Sequence, residues 1–318
     1  MKIVSIVIPV YNEQEVLPEL QRRLCEVIDP IEGYAFEVVL VDDASTDDTP
    51  RIIADLNAAD PRFKTVRFSR NFGSHTAIRA GIDHCTGDYA CIMAADLQDP
   101  PELIPDLLAK MAEGYNTVWA YREGRKDPLL KRITSGIYNF VIYKLGMPAP
   151  GRHGADVVAF DRKIIDKLRG ALREKDSNLF VLIRWAGFRQ TGFGYAKQAR
   201  AAGESGFSTA KRLKIAIDAF VAFSFFPIRL ISYLGLSVAF VGFIYAAYLV
   251  AYRLISGNMI SGFATIMTAI LVLSGIQMIM LGVVAEYLWR TFNASRDRPL
   301  YLVEDTKGFD APSEGDKR

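Results

Sequence analysis

Val4-Ser5-Ile6-Val7-Ile8-Pro9-Val10-Tyr11-Asn12-Glu13 sets how the rest of this chain is read. Residues 4–10 are apolar over a strand's length, and an aromatic, an amide and an acid follow directly. A secretory segment would run longer and end in small residues, so the stretch predicts a first strand. Working outward, residues 15–27 place Val16, Leu17, Leu20, Leu24 and Val27 at helical spacing. Residues 36–41 read as a second buried strand, 42–49 as a turn-rich loop and 50–59 as a helix. A strand over 65–68, a helix over 76–85 and a strand over 89–93 continue the pattern. Such alternation predicts an α/β fold: right-handed βαβ units building a mainly parallel sheet with helices on both faces. Ligands of these sheets bind beyond the C-terminal strand ends. Tyr11-Asn12-Glu13, Asp42-Asp43 and the acids of 96–99 all follow strands, which places a site at that edge.

The composition divides the chain. Half of its 318 residues are hydrophobic and 23% are charged, with mean hydropathy +0.13, as expected of a globular domain averaged with an apolar segment. A net charge of +2 gives no reason to expect a nucleic-acid partner. Cys25, Cys85 and Cys91 lack metal-ligand spacing and read as reduced core residues. Residues 230–252 and 263–285 carry no charge, and each is long enough to cross a bilayer as a helix. Lys211, Arg212, Lys214 and Arg229 precede the first span, and Arg290, Arg296, Arg298 and Lys307 follow the second. That bias predicts a multi-pass protein of the cytoplasmic membrane with both termini and the first domain on the cytoplasmic side. The expected organisation is a domain over 1–204, an interfacial amphipathic region over 205–228, a two-helix hairpin over 229–288 and a tail over 289–318. Gly235, Ser237, Ala239 and Gly242 would permit close helix packing, and so a homo-oligomer such as a tetramer.

Chemistry concentrates in Ala95-Asp96-Leu97-Gln98-Asp99-Pro100-Pro101-Glu102-Leu103, directly after an apolar strand. Carboxylates at a strand end can hold a hard divalent ion such as Mg2+ or Mn2+, which shares itself with substrate phosphates. Asp96 and Gln98 would share a face if the strand conformation continued, and Glu102 suits the first turn of a helix. A capped strand–helix turn accounts for Asp99 and the prolines but not for the whole run.

Four stretches occur in order: Ile6-Val7-Ile8-Pro9-Val10-Tyr11-Asn12-Glu13, Val41-Asp42-Asp43-Ala44-Ser45-Thr46-Asp47, Ser69-Arg70-Asn71-Phe72-Gly73 and Asp96-Leu97-Gln98-Asp99-Pro100-Pro101. With them the chain resembles the family-2 inverting glycosyltransferases of GT-A fold. The apolar hairpin, Phe223-Ser224-Phe225-Phe226-Pro227 and Arg298-Pro299-Leu300-Tyr301-Leu302-Val303 narrow the likeness to polyprenyl-phosphate glycosyltransferases, similar to the GtrB and dolichol-phosphate mannose synthase groups. The resemblance implies a nucleotide-sugar donor, a polyprenyl-phosphate acceptor and inversion at the sugar. It implies that Pro9, Tyr11, Glu13, Asp42, Asp43 and Arg70 line the nucleotide pocket. Asp96 and Gln98 would hold the metal, and Arg122, Arg132 and Arg200 the phosphates. Asp156 would act as general base or acceptor positioner, beside Asp96 in the catalytic set. The chain departs from the pattern at Ala94, where an aspartate is usual, and at Val158, where many relatives carry arginine. Two other readings are a processive polysaccharide synthase and a membrane scaffold without catalysis. Arg184-Trp185 speaks for the synthase, but Phe180 stands where its motif needs glutamine.

Overall fold

The structure is a computed structural model that describes residues 1–123, 155–170, 179–196, 262–296 and 298–309, with individual helical positions between 233 and 255. The chain divides into two compact units, Met1–Ala216 with Pro299–Arg318, and Ile217–Arg298.

The first unit is built on an eight-stranded sheet in the order β7-β5-β6-β4-β1-β2-β3-β8. Its strands are β1 Lys2–Val10, β2 Tyr34–Asp42, β3 Phe63–Phe68, β4 Tyr89–Ile92, β5 Thr117–Glu123, β6 Ala155–Asp161, β7 Gln190–Ala196 and β8 Val303–Lys307. The pairs β1–β2, β1–β4, β2–β3 and β5–β7 are parallel. Only β6 and β8 run against the rest. The helices are α1 Leu17–Ile28, α2 Thr49–Ala59, α3 Ser74–His84, α4 Ile104–Ala112, α5 Arg162–Arg169 and α6 Leu179–Trp185.

The period-two pattern of β1 divides its side chains between the two faces. Val4, Ile6, Ile8 and Val10 join Leu17, Leu20, Leu24 and Ile28 of α1 and Leu107 and Leu108 of α4 in one core. Val7 points the other way, toward α3. An added Cβ on Gly81 would lie 2.3 Å from Val7 Cγ1, so this helix settles on the sheet only because residue 81 lacks a side chain. In α5 the Asp161 carboxylate caps the helix by accepting the Ile164 amide at 3.3 Å.

Three features differ from the sequence reading. The strand conformation does not continue through Asp96: β4 ends at Ile92, and Leu97 has φ +55°. Asp96 and Gln98 therefore sit on a turn, where Asp96 Oδ1 accepts the Gln98 amide at 3.1 Å. Glu102 is a first-turn acid, as expected, but of a 3-10 turn over Pro101–Leu103 that leads into α4 and not of the α-helix itself. The third is β8, supplied by the region read as a tail, which pairs antiparallel with β3 and covers its edge.

In the second unit, α7 spans Phe263–Ser295, and the described positions from 233 to 255 are also helical. Among the described residues one helix, at Val272–Trp289, is long and apolar enough to cross a membrane, and none of that window is buried. A long helix that is predominantly apolar and exposed in the single chain suits lipid better than water. A Cβ on Gly235 would lie 3.3 Å from Met280 Cε, so this glycine serves packing within the hairpin. The interfacial region 205–228 and part of the first span lie outside the described residues.

Candidate active site

Topology collects the site before any side chain is considered. The parallel strands β1, β2, β3, β4 and β5 all end at one edge, and antiparallel β6 begins there. Tyr11, Glu13, Asp42, Asp43, Arg70, Asp96, Gln98 and Arg122 all lie at or just past those ends, as does the backbone of Asp156. The Asp156 side chain, Arg132 and Arg200 lie outside the described residues.

The backbone at this edge is strained. The non-glycine residues with positive φ among those described are Asn12 (53°), Ala44 (59°) and Leu97 (55°). They follow β1, β2 and β4 respectively, at the one edge. Such residues cost about 1 kcal/mol each and cluster at ligand sites, where the surrounding structure holds them in place.

Cross-links between loops hold them here. The Asn12 amide donates to Ser45 Oγ at 3.0 Å, and the Thr46 amide donates to Asn12 Oδ1 at 2.9 Å. The Glu13 amide donates to Thr49 Oγ1 at 2.9 Å, and the Asp48 amide to Gln14 Oε1 at 2.9 Å. The loop after β1 is thereby stitched to the loop after β2. On that base Tyr11 is 46% exposed, and Pro9 and Glu13 are half-buried.

Asp42 and Asp43 are almost fully buried. Asp42 accepts the Ser45 amide at 2.8 Å and Arg67 Nη1 at 3.0 Å. Asp43 accepts the Phe72 amide at 2.6 Å and the Gly73 amide at 2.8 Å, which pins the loop carrying Arg70. Arg70 itself is exposed, its guanidinium 4.3 Å from the Phe72 ring centroid. Both carboxylates thus fix the loops of this edge, and Arg67, inside β3 and two positions before Ser69, carries no local feature that marks it as a partner.

The acidic turn after β4 is fixed on two sides. Buried Asp99 accepts a hydrogen bond from the Tyr195 hydroxyl of β7. Glu102 receives a bidentate pair from Arg23 of α1, at 2.7 and 3.2 Å. Tyr195 is a partner of this turn that the sequence does not reveal; 96 positions separate it from Asp99, and no local signal marks it. Ala94 and Asp96 are half-buried, so the turn is reachable from the edge.

A divalent cation fits this turn only in part. Among the described residues no group of three or more His, Cys, Asp or Glu side chains converges on a point. Asp96 offers a carboxylate and Gln98 an amide oxygen, hard donors that suit Mg2+ or Mn2+ when phosphates and waters complete the shell. The cysteines take no part: burial pushes the Cys91 thiol up to about 12, and burial also raises Cys85 and Cys25. Arg184 lies over the Trp119 ring at 4.4 Å, and Phe180 packs against Trp119 and His75.

Comparison with known proteins gives the family. The family described as glycosyl transferase family 2 matches residues 5–169, and the GtrB C-terminal hairpin matches residues 226–290. The chain is 37% identical over 310 residues to "Uncharacterized glycosyltransferase YkcC" of Bacillus subtilis, covering 96% of this chain and 94% of that one. It is 33% identical over 305 residues to "Bactoprenol glucosyl transferase" of Shigella phage SfV, covering 96% and 99%. It is 36% identical over 310 residues to "Undecaprenyl-phosphate 4-deoxy-4-formamido-L-arabinose transferase" of Pseudomonas syringae, covering 96% and 90%. With an α/β sheet of GT-A type, an acidic turn at its C-terminal edge and an apolar hairpin after it, the chain belongs to glycosyl transferase family 2 and is a glycosyltransferase carrying the GtrB-type C-terminal hairpin.

Proposed function

We propose that this enzyme transfers a sugar from a nucleotide diphosphate, UDP-linked on our reading, to undecaprenyl or another polyprenyl phosphate, with inversion at the anomeric carbon. The observation that carries the reading is the convergence of the polar strand-end residues on one strained, cross-linked edge, in a chain that also has an uncovered apolar helix. The relatives' names, bactoprenol glucosyl transferase and undecaprenyl-phosphate transferase, supply the acceptor class.

On this reading Pro9, Tyr11, Glu13 and the wall built by Asp42, Asp43 and Arg70 receive the nucleoside. Asp96 and Gln98 would hold Mg2+ or Mn2+, which when bound neutralises the diphosphate as it departs. Arg122, Arg132 and Arg200 add planar guanidinium donors to phosphate oxygens. A polyprenyl phosphate is already an anionic nucleophile, so Asp156 positions the acceptor more than it removes a proton. The acceptor's tail requires the domain to work at a bilayer. We assign the enzyme to the cytoplasmic membrane, with two spans near 230–252 and 263–285, an interfacial region over 205–228 and both termini cytoplasmic. Assembly into a homo-oligomer completes the reading, and no nucleic acid is involved.

Purified full-length protein in bilayer nanodiscs, given undecaprenyl phosphate and a panel of labelled nucleotide sugars with Mg2+ or Mn2+, tests it. A lipid-linked monosaccharide from one donor is expected. A polymer would favour the synthase, and absence of product with every donor would favour the scaffold.

A further inference from the structure

The Arg298-Pro299-Leu300-Tyr301-Leu302-Val303 stretch has no part in the chemistry assigned so far. It lies beyond the hairpin in sequence, yet its second half sits in the first unit against the loop that carries Arg70. A strand that merely covered the sheet edge would need only to pair with β3. This segment reaches past the end of β3: the Ser69 amide donates to the Leu302 carbonyl at 3.1 Å. The Tyr301 ring stacks on Phe68 with centroids 5.1 Å apart and planes at 23°. Phe68 meets Phe72 edge-on at 5.5 Å, and Phe72 carries the Arg70 guanidinium. The Tyr301 hydroxyl donates to Asp83 Oδ2 of α3 at 2.8 Å, which sets the angle of the ring. A second line runs from β8 to the same pocket. Glu304 Oε2 accepts Arg67 Nε at 2.9 Å, and Arg67 Nη1 donates to Asp42 at 3.0 Å.

We infer that the segment from Tyr301 to Glu304 is a positioning element for the donor pocket, acting on Arg70 through Tyr301, Phe68 and Phe72, and on Asp42 through Glu304 and Arg67. The inference rests on the reading of this edge as the nucleotide site. Asp43 holds the 69–73 loop through the Phe72 and Gly73 amides, and Leu302 holds its other end through the Ser69 amide, with Tyr301 stacked on the adjoining Phe68. With one side released, the loop must be ordered at the moment of binding, and donor affinity falls.

The test measures UDP and GDP binding by calorimetry, and the donor and acceptor KM, on the full chain in nanodiscs. Tyr301→Ala is expected to weaken binding of the preferred nucleotide and raise the donor KM about five-fold, leaving the acceptor KM unchanged. Tyr301→Phe keeps the stack and is expected to restore affinity to within about two-fold of the parent. Glu304 is more than half exposed, so Glu304→Gln leaves folding intact; a donor-selective loss of about two-fold is expected. Unchanged nucleotide affinity in both Tyr301→Ala and Glu304→Gln overturns the inference while leaving the nucleotide site standing. A parent chain that binds neither UDP nor GDP overturns the nucleotide site itself, and this inference with it.

Discussion

Glu37 sits where β2 begins, and Asp96 sits past the end of β4, at opposite ends of one sheet. Glu37 is 4% exposed and accepts from Lys64 Nζ at 2.6 Å, from the Ser5 hydroxyl and from the amide and hydroxyl of Thr86. Burial pushes its carboxyl up, but these donors outweigh burial and hold it below the usual glutamate range. The chain turns at that end through residues such as Gly33 and Gly114, whose positive φ carries no steric cost. At the other end the turns force Asn12, Ala44 and Leu97 into the same region of backbone space, and the acid at the turn is half-buried. One end is finished as a piece of folding; the other keeps strain and reachable oxygens, as the proposed donor site requires. Acidity alone would not separate them.

Substitutions should divide along that line. Asp96→Ala should lower kcat by about a hundred-fold, near 3 kcal/mol of barrier, while the thermal midpoint stays within a few degrees. Single-turnover assays with Mg2+ or Mn2+ check this, and unchanged turnover would remove Asp96 from the reaction. Glu37→Gln should do the reverse. It should cost about 2 kcal/mol in denaturant unfolding and leave nucleotide affinity unchanged. The sign with pH follows from the lowered carboxyl. Its stabilisation is present above the unfolded-state value of about 4.3 and is lost as pH falls through the lower folded value. The parent should therefore lose stability on acidification more steeply than Glu37→Gln, as melts between neutral and acid pH would record.

Two smaller changes sharpen the contrast. Tyr195→Phe removes the hydroxyl that holds Asp99 and should cost about 1 kcal/mol of stability, with a larger fractional loss of activity as the acidic turn loosens. An equal loss in a variant remote from the turn would deny Tyr195 any special part. Ala44→Gly relieves one strained residue and should raise stability by less than about 1 kcal/mol without raising turnover.

The sheet was readable because β1 and β2 are apolar on both faces and the helices between them show a single buried stripe, as α1 does with Leu17, Leu20 and Leu24. The candidate site was readable as far as it consists of strand-end motifs. Partners distant in sequence were not. Tyr195 reaches Asp99, and Arg67 joins Asp42 to Glu304, only once the strand order is known. The turn at Leu97 was missed for another reason: a buried leucine gives no hint that its backbone is left-handed, as a glycine would. Strand β8 escaped because its exposed, polar sequence looks like a tail until the open edge of β3 is seen beside it.

Amide hydrogen exchange on the full chain in nanodiscs, with and without UDP or GDP plus Mn2+, probes the difference between the two ends most directly. The account requires slower exchange at residues 11–14, 43–47, 69–73 and 95–99, and no change around Ile3, Thr86 and Asp88 at the other end. Slowing confined to the Glu37 end, or none anywhere under saturating nucleotide, would contradict it.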